Sequence, residues 1–316
     1  MKWQRRSLLL GGLAGAAGLA GGTAWLTRPT AVRVPPVPQG ASLALVRDFD
    51  QGILKQENGR NVREFQITAG TSVLQLNSVV TFNSWNFNGR VPGPTLRVQA
   101  GERVRVIFQN QGGHSHSMHF HGIHRAEMDG VRPVRNGKTT VYEFDAEPYG
   151  IHLYHCHVAP VTRHVGKGLY GLFIIDPPGG RPPADELVLV MGAYDVNEDQ
   201  QNEFYAFNGL PNVYRDQPIP IAQNQLIRLY LLNMIEWDPV VTFHLHANMF
   251  QVYPTGRTLT PQLEADVITM GTAERHILEF SYRFPGMYMF HPHQDHVAEQ
   301  GCMGHFMVMP SPAGAS

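Results

Sequence analysis

Four His-X-His pairs hold eight of the 16 histidines, namely His119-Phe120-His121, His155-Cys156-His157, His244-Leu245-His246 and His291-Pro292-His293, while a fifth, His114-Ser115-His116, reads as incidental. In an extended strand, residues i and i+2 point to one face about 6–7 Å apart, so both imidazoles of a pair face the same way. Neutral imidazole is the commonest metal ligand. Eight of them around one cavity would hold three metal ions with positions left open for oxygen. The residue between the two histidines faces the opposite way, into its own half of the molecule. In the second pair that residue is Cys156, so its thiolate can bind a separate copper while His155 and His157 serve the shared cavity. His116 lies three residues before His119, and His164 lies eight beyond Cys156. Together they make a His2Cys set, the donor set of a blue copper centre. Leu169 stands five residues past His164, near the place of a weak axial methionine. It cannot coordinate, which favours Cu(I) over Cu(II) and implies a high reduction potential. Pro292 fills the cysteine position of the last pair, so no second blue centre can form there.

These side chains need strands to hold them. Stretches such as Thr95-Leu96-Arg97-Val98 and Arg103-Val104-Arg105-Val106-Ile107-Phe108 alternate in the β period, broken by Gly, Pro and Asn, and no long amphipathic helix is evident. The passage Asp176-Pro177-Pro178-Gly179-Gly180-Arg181-Pro182-Pro183 reads as a linker between two halves. The halves read as copies of each other. Phe87-Asn88-Gly89 recurs as Phe207-Asn208-Gly209, each half then brings a first His pair, and each ends on a second. The expected organisation is a domain over residues 41–178 with the blue copper and another over 184–311 with cluster ligands only. Residues 1–30 stand apart: Arg5-Arg6 before Ser7-Leu8-Leu9 resembles a twin-arginine export signal. Leu8 to Leu26 is also about long enough for a membrane anchor. Export, to a periplasm, is the expectation, with a membrane contact only if this segment is retained.

A chain of 316 residues suits two domains, and a net charge of −1 from 25 basic and 26 acidic residues shows no basic block for nucleic acid. The two cysteines, Cys156 and Cys302, allow a disulfide, but that pairing ignores the histidines flanking Cys156. Cys302, in Gly301-Cys302-Met303-Gly304, corresponds to Leu169 in Gly168-Leu169-Tyr170-Gly171 and reads as a buried thiol left from a lost axial region. Histidines 114, 124, 152, 276, 296 and 305 carry no assigned role. The methionines read as core fillers, although Met287, Met289 and Met303 surround the last pair.

The four pairs resemble the ligand motifs of multicopper oxidases, and the length resembles two-domain laccases with the blue copper in the first domain. That resemblance implies an all-β fold of two cupredoxin-like Greek-key β-sandwich domains. It implies four coppers per subunit equivalent: one type 1 at His116, Cys156 and His164; one type 2 at His119 and His244; and a type 3 pair at His121, His155, His157, His246, His291 and His293. It also implies a homotrimer, with each cluster between the first domain of one subunit and the second domain of the next. Asp129, in Met128-Asp129-Gly130, resembles the family's proton-relay aspartate, and Asp295 beside His293 is a second candidate. The expected activity is oxidation of a small reductant, a phenol or Cu(I), Fe(II) or Mn(II), by O2. The set His116, His121, His155-Cys156 and His164 also resembles copper nitrite reductase, but His119 and His157 complete pairs that only a trinuclear cluster needs. A non-catalytic copper carrier is the third reading, and it has no use for a thiolate between two histidines.

Overall fold

The computed structural model describes residues 41–238 and 240–310, so the expected export segment lies outside the described residues. In the first half, α1 (Ala41–Leu45) precedes β1 (Phe49–Asp50), β2 (Ile53–Glu57), β3 (Arg60–Gln75), β4 (Thr81–Phe87) and β5 (Thr95–Gln99). There follow β6 (Arg103–Asn110), β7 (His119–Phe120), β8 (Thr139–Asp145), β9 (Gly150–His155), α2 (Val161–Gly166) and β10 (Tyr170–Asp176). The second half opens with β11 (Asp185–Tyr194), β12 (Phe204–Phe207), α3 (Val213–Asp216), β13 (Ile219–Ala222), β14 (Ile227–Asn233) and β15 (Val240–Leu245). It closes with β16 (Phe250–Pro254), β17 (Leu263–Ala265), β18 (Val267–Gly271), β19 (Arg275–Phe280), β20 (Gly286–His291), α4 (Asp295–Glu299) and β21 (Gly304–Met309).

The strands form four sheets, ordered β2-β3-β6-β8 with β4 on β3, β1-β5-β10-β9-β7, β12-β11-β14-β19-β16-β17 and β13-β21-β20-β15-β18. The run β5-β10-β9-β7 in the second sheet matches β13-β21-β20-β15 in the fourth, so the sequence repeat is a repeat of topology. The Phe-Asn-Gly turns match in detail. Asn88 (φ +55) accepts the N–H of Thr68 at 2.7 Å, and Asn208 (φ +50) accepts that of Val190 at 2.9 Å. Asparagine suits the left-handed turn position because its short amide bonds the neighbouring backbone.

Side chains pack in four layers. Phe65, Ile67, Val104 and Phe108 of the first sheet meet Leu96, Tyr154 and Phe173 of the second. Leu187, Leu189 and Leu229 of the third meet Phe243, Phe290 and Phe306 of the fourth. A further core joins the two middle sheets, with Ile151, Leu153 and Leu172 against Val188, Val190 and Leu232. This explains the burial patterns. In β6 of the outer sheet, Val104, Val106 and Phe108 are buried while their neighbours are not, whereas β10 and β14 are buried along their whole length because both faces are covered. The described residues accordingly belong to one compact unit. At the middle interface Arg97 pairs with Asp176 (2.7 Å) and Glu186 (2.6 Å), and Arg228 pairs with Glu279 (2.6 Å). Their mutual pairing offsets the cost of burying those charges.

Candidate metal centres

The residues between the paired histidines, Phe120, Cys156, Leu245 and Pro292, are all buried, and the histidines face out of their own sandwich. In the first half the cysteine side of this alternation builds a pocket. Cys156 Sγ lies 3.1 Å from His164 Nδ1 and 3.8 Å from His116 Nδ1, and the two Nδ1 atoms are 3.2 Å apart. Both His116 and Cys156 are fully buried. The chain returns His164 to this point through α2, which starts after Pro160. Leu169 then closes the loop: its N–H donates to His164 O (3.2 Å), and its carbonyl accepts from Cys156 N–H (3.0 Å). Ser117 N–H points at Cys156 Sγ from 3.4 Å. Trp85 lies against His164 (4.9 Å between centroids), His114 (5.1 Å) and His116 (5.5 Å).

Burial lowers His116 to about 4 and His164 to about 4, with further lowering by neighbouring histidine charge, so both rings are neutral at ordinary pH. Burial pushes the Cys156 thiol up, so its thiolate forms when a cation shares the pocket. Two neutral imidazoles and a thiolate converging from three segments fit copper, and the soft sulfur donor selects for it.

The outward histidines make two further groups. His119 and His155 are cross-strand partners in β7 and β9, and His244 and His291 are partners in β15 and β20. In the first group His121 Nε2 and His155 Nε2 are 3.3 Å apart, and His119 centres lie 5.0 Å from those of His121 and His157. In the second, His246 Nε2 and His291 Nε2 are 2.9 Å apart, and His244 lies 4.6 Å from His293. Each group shares an orienting device. His155 Nδ1 donates to Cys156 O (2.9 Å) and His291 Nδ1 to Pro292 O (2.7 Å), leaving each Nε2 for an ion. Burial, then neighbouring histidine charge, lowers His121 to about 3, and burial lowers His155 to about 4. His246 and His291 are lowered as well, again chiefly by burial.

Asp129 stands where the sequence expects it. His119 Nδ1 donates to Asp129 O at 2.9 Å, with the carboxylate 3.1 Å away. Gly130 (φ +76) permits this approach, since a Cβ there would come 2.2 Å from Met118 O. Asp295 instead starts α4 on the surface, with no hydrogen bond to the paired histidines among the described residues. Asp266 takes the matching place in the second half, unnoticed in the sequence: His244 Nδ1 donates to Asp266 O at 2.8 Å, and its carboxylate is 4.0 Å away. Asp129 follows its pair closely, whereas Asp266 lies beyond two intervening strands, so no spacing signals it. Cys156 and Cys302 are both free thiols, which removes the disulfide alternative.

No ring contact or ligand-distance group joins the first four outward histidines to the second four among the described residues. Each half therefore carries its own group of four outward histidines on a separate sheet.

Known proteins agree with this arrangement. A solved structure described as a multicopper oxidase superposes with TM-score 0.83 at 45% identity, covering 84% of this chain and 96% of that one. The copper-containing nitrite reductase of Neisseria gonorrhoeae is 27% identical over 260 residues, 74% of this chain. Laccase-3 of Arabidopsis thaliana is 27% identical over 263 residues, 72% of this chain. The chain spans 65% of the former's length and 45% of the latter's. The expected cupredoxin-like all-β fold is the one observed. Family models described as multicopper oxidase match residues 69–180 and 181–312, one on each structural repeat, and the chain belongs to the multicopper oxidase family.

Proposed function

We propose that the chain is a laccase-like oxidoreductase that couples one-electron oxidation of a small phenolic or metal-ion reductant to four-electron reduction of O2 to water. One observation carries this reading: Cys156 turns its sulfur to His116 and His164 while His155 and His157, its direct neighbours in the chain at the end of β9, turn the other way. That tripeptide gives a short covalent route between two metal centres, which a copper carrier does not need.

On this reading His116, Cys156 and His164 hold a type 1 copper, with Leu169 at the axial position. His119 and His244 hold a type 2 copper, and His121, His155, His157, His246, His291 and His293 hold the type 3 pair. Bound copper supplies one-electron transfer at the first centre and multi-electron oxygen chemistry at the second, four coppers in all. The protein's own groups orient and protect. Asp129 and Asp266 fix the Nδ1 atoms of His119 and His244 and leave Nε2 for the ion. The carboxylate of Asp129, 3.1 Å from His119, is placed to hold a proton for the oxygen site; Asp295 is the more distant candidate. Leu169, fully buried, excludes water from the sulfur side.

The two separate histidine groups support the homotrimer that the family resemblance implies, because the second four histidines of one subunit would be completed by a neighbour's first four. The outward face of the fourth sheet exposes Val240 (48%), Val267 (38%), Met287 (57%) and Met309 (50%), an apolar surface suited to that neighbour. The two cupredoxin-like domains, 41–178 and 184–311, then meet across subunits as well as within one. Export by the twin-arginine route to the periplasm completes the reading, and it suits a protein that folds around its cofactor before transport. The test is gas consumption by the copper-loaded protein with phenols, Cu(I), Fe(II), Mn(II) and nitrite. Oxygen uptake with four electrons per O2 and no reduction of nitrite supports the oxidase. Nitrite turnover without oxygen uptake replaces it by the nitrite reductase.

A further inference from the structure

The outward face of the fourth sheet holds more than the second histidine group. In β20 and β21, Tyr288, Phe290, Phe306 and Val308 turn into the core, so Met287, Met289 and His291 turn out beside His305, Met307 and Met309. The register sets Met287 opposite Met307 and Met289 opposite His305. Directly opposed residues bring their Cβ atoms to about 4.5–5.5 Å, so two flexible thioether arms reach one point between them. The next row leads to the paired histidines. His246 N–H donates to Met289 O at 3.0 Å, one residue beyond the pairing of Leu245 with Phe290, so His246, Met289 and His305 stand side by side across three strands. The charge of His305 is among those that lower His246.

Three features point to a soft cation. Thioether sulfur is a donor that selects Cu(I), and imidazole suits copper as well. Among the described residues, the outward positions of β13, β15, β20 and β21 carry no carboxylate, so a hard divalent ion finds no charged oxygen between these rows. Asp266 belongs to the far edge, beside His244. His305 Nδ1 is buried and has no hydrogen-bond partner, a cost that an ion bound there removes. The outermost methionines are open to solvent rather than filling a core: Met287 is 57% exposed and Met309 50%.

We propose that Met287, Met289, Met307 and His305 form a Cu(I) site that loads the second histidine group, taking the ion from solvent by way of Met309 and passing it to His246. The transfer exchanges one neutral donor for another, thioether for imidazole, so the ion keeps its oxidation state and no electron moves. The blue copper pocket lies in the other half and takes no part. Only the ion's destination rests on the oxidase reading above, in which His246 serves the oxygen cluster. On the trimer reading a neighbour meets this face, so the ion enters before that contact closes.

Silver(I), a redox-silent stand-in for Cu(I), tests the site in the metal-free full-length chain with isotope-labelled methionine methyls. Met287→Leu, Met289→Leu and Met307→Leu keep the apolar volume and remove the sulfur, a swap that cores tolerate well, and each assigns one methyl signal. The expected result is that Ag(I) shifts the signals of these three methionines together, and that in Met287→Leu the other two need at least about tenfold more free Ag(I). In the triple variant, copper uptake from the Cu(I)–bicinchoninate complex slows by at least about tenfold. The blue absorption reached with excess copper matches the wild type. Methyl signals that stay put overturn the site and leave these methionines as apolar packing for a neighbour. Uptake at the wild-type rate in the triple variant overturns the transfer to His246. If the copper-loaded protein takes up no oxygen with any donor, the oxidase reading falls, and the methyl shifts still decide the site.

Discussion

The two halves share one strand frame and differ in what fills it. The first places His116, Cys156, His164 and Leu169 inside; the second places Val241, Pro292, Val297 and Cys302 at the matching positions, all buried. The match is structural as well as sequential. Leu169 N–H donates to the carbonyl of His164, five residues back, at 3.2 Å, and Cys302 N–H donates to that of Val297, again five back, at 3.1 Å. Outward histidine pairs persist in both halves. The frame therefore presents outward histidine pairs whatever its interior holds. A buried set of imidazoles and a thiol costs free energy unless a metal engages it, whereas valine and proline carry no polar side-chain atom to desolvate. On the proposed reading, electron entry is thus confined to one half, and the other keeps only the oxygen side.

Among changes that keep every candidate ligand, the largest comes from the aspartates beside the two halves' first histidines. Asp129→Asn and Asp266→Asn keep the backbone carbonyls that orient the two rings and remove only the carboxylates beside them, and each lowers oxygen uptake of the copper-loaded protein, by up to about 10–100-fold for a lost charged neighbour of a ligand. Asp129→Asn is the more damaging because its carboxylate is nearer, at 3.1 Å against 4.0 Å. Equal rates in both variants and wild type would remove any role of the two carboxylates.

Next in size is Leu169→Met, which offers a weak sulfur donor at the axial position and stabilises Cu(II). A redox titration followed by the blue absorption should show a lower potential; a higher one contradicts the assignment of Leu169. Acid sensitivity sets the halves apart more gently. In the metal-free protein His116, His121, His155 and His164 are held to about 3–4 in the folded state, against 6.5 when unfolded. The unfolded chain therefore takes up protons first. Stability is full above about pH 6.5 and falls as the pH drops toward about 4. A metal-free Tm that stays level across that window contradicts those environments. The smallest effect is expected of Pro292→Cys: with Val241 and Val297 in place of histidines, the new thiol finds no nitrogen partners, and the blue absorbance per chain does not rise.

The pairs, the thiolate and the duplicated frame were legible because a strand alternates strictly, so spacing alone says which side chains share a face. Cys302 opposite Leu169 was legible through the repeated Gly-X-X-Gly pattern. Asp266 was not, because its contact with His244 crosses two strands. Nor did period and composition reveal α2 and α4, which are too short to show helical periodicity. Separation of the eight outward histidines into two groups depends on which sheets carry them, a matter of layer order that the sequence pattern does not encode.

The most direct test of the account is Cys156→Ser in the copper-loaded protein, with blue absorption and oxygen uptake read together. The account predicts that the blue colour disappears and that uptake falls by at least about a hundredfold, beyond the usual loss of an orienting partner. Loss of the colour with undiminished oxygen uptake would contradict it.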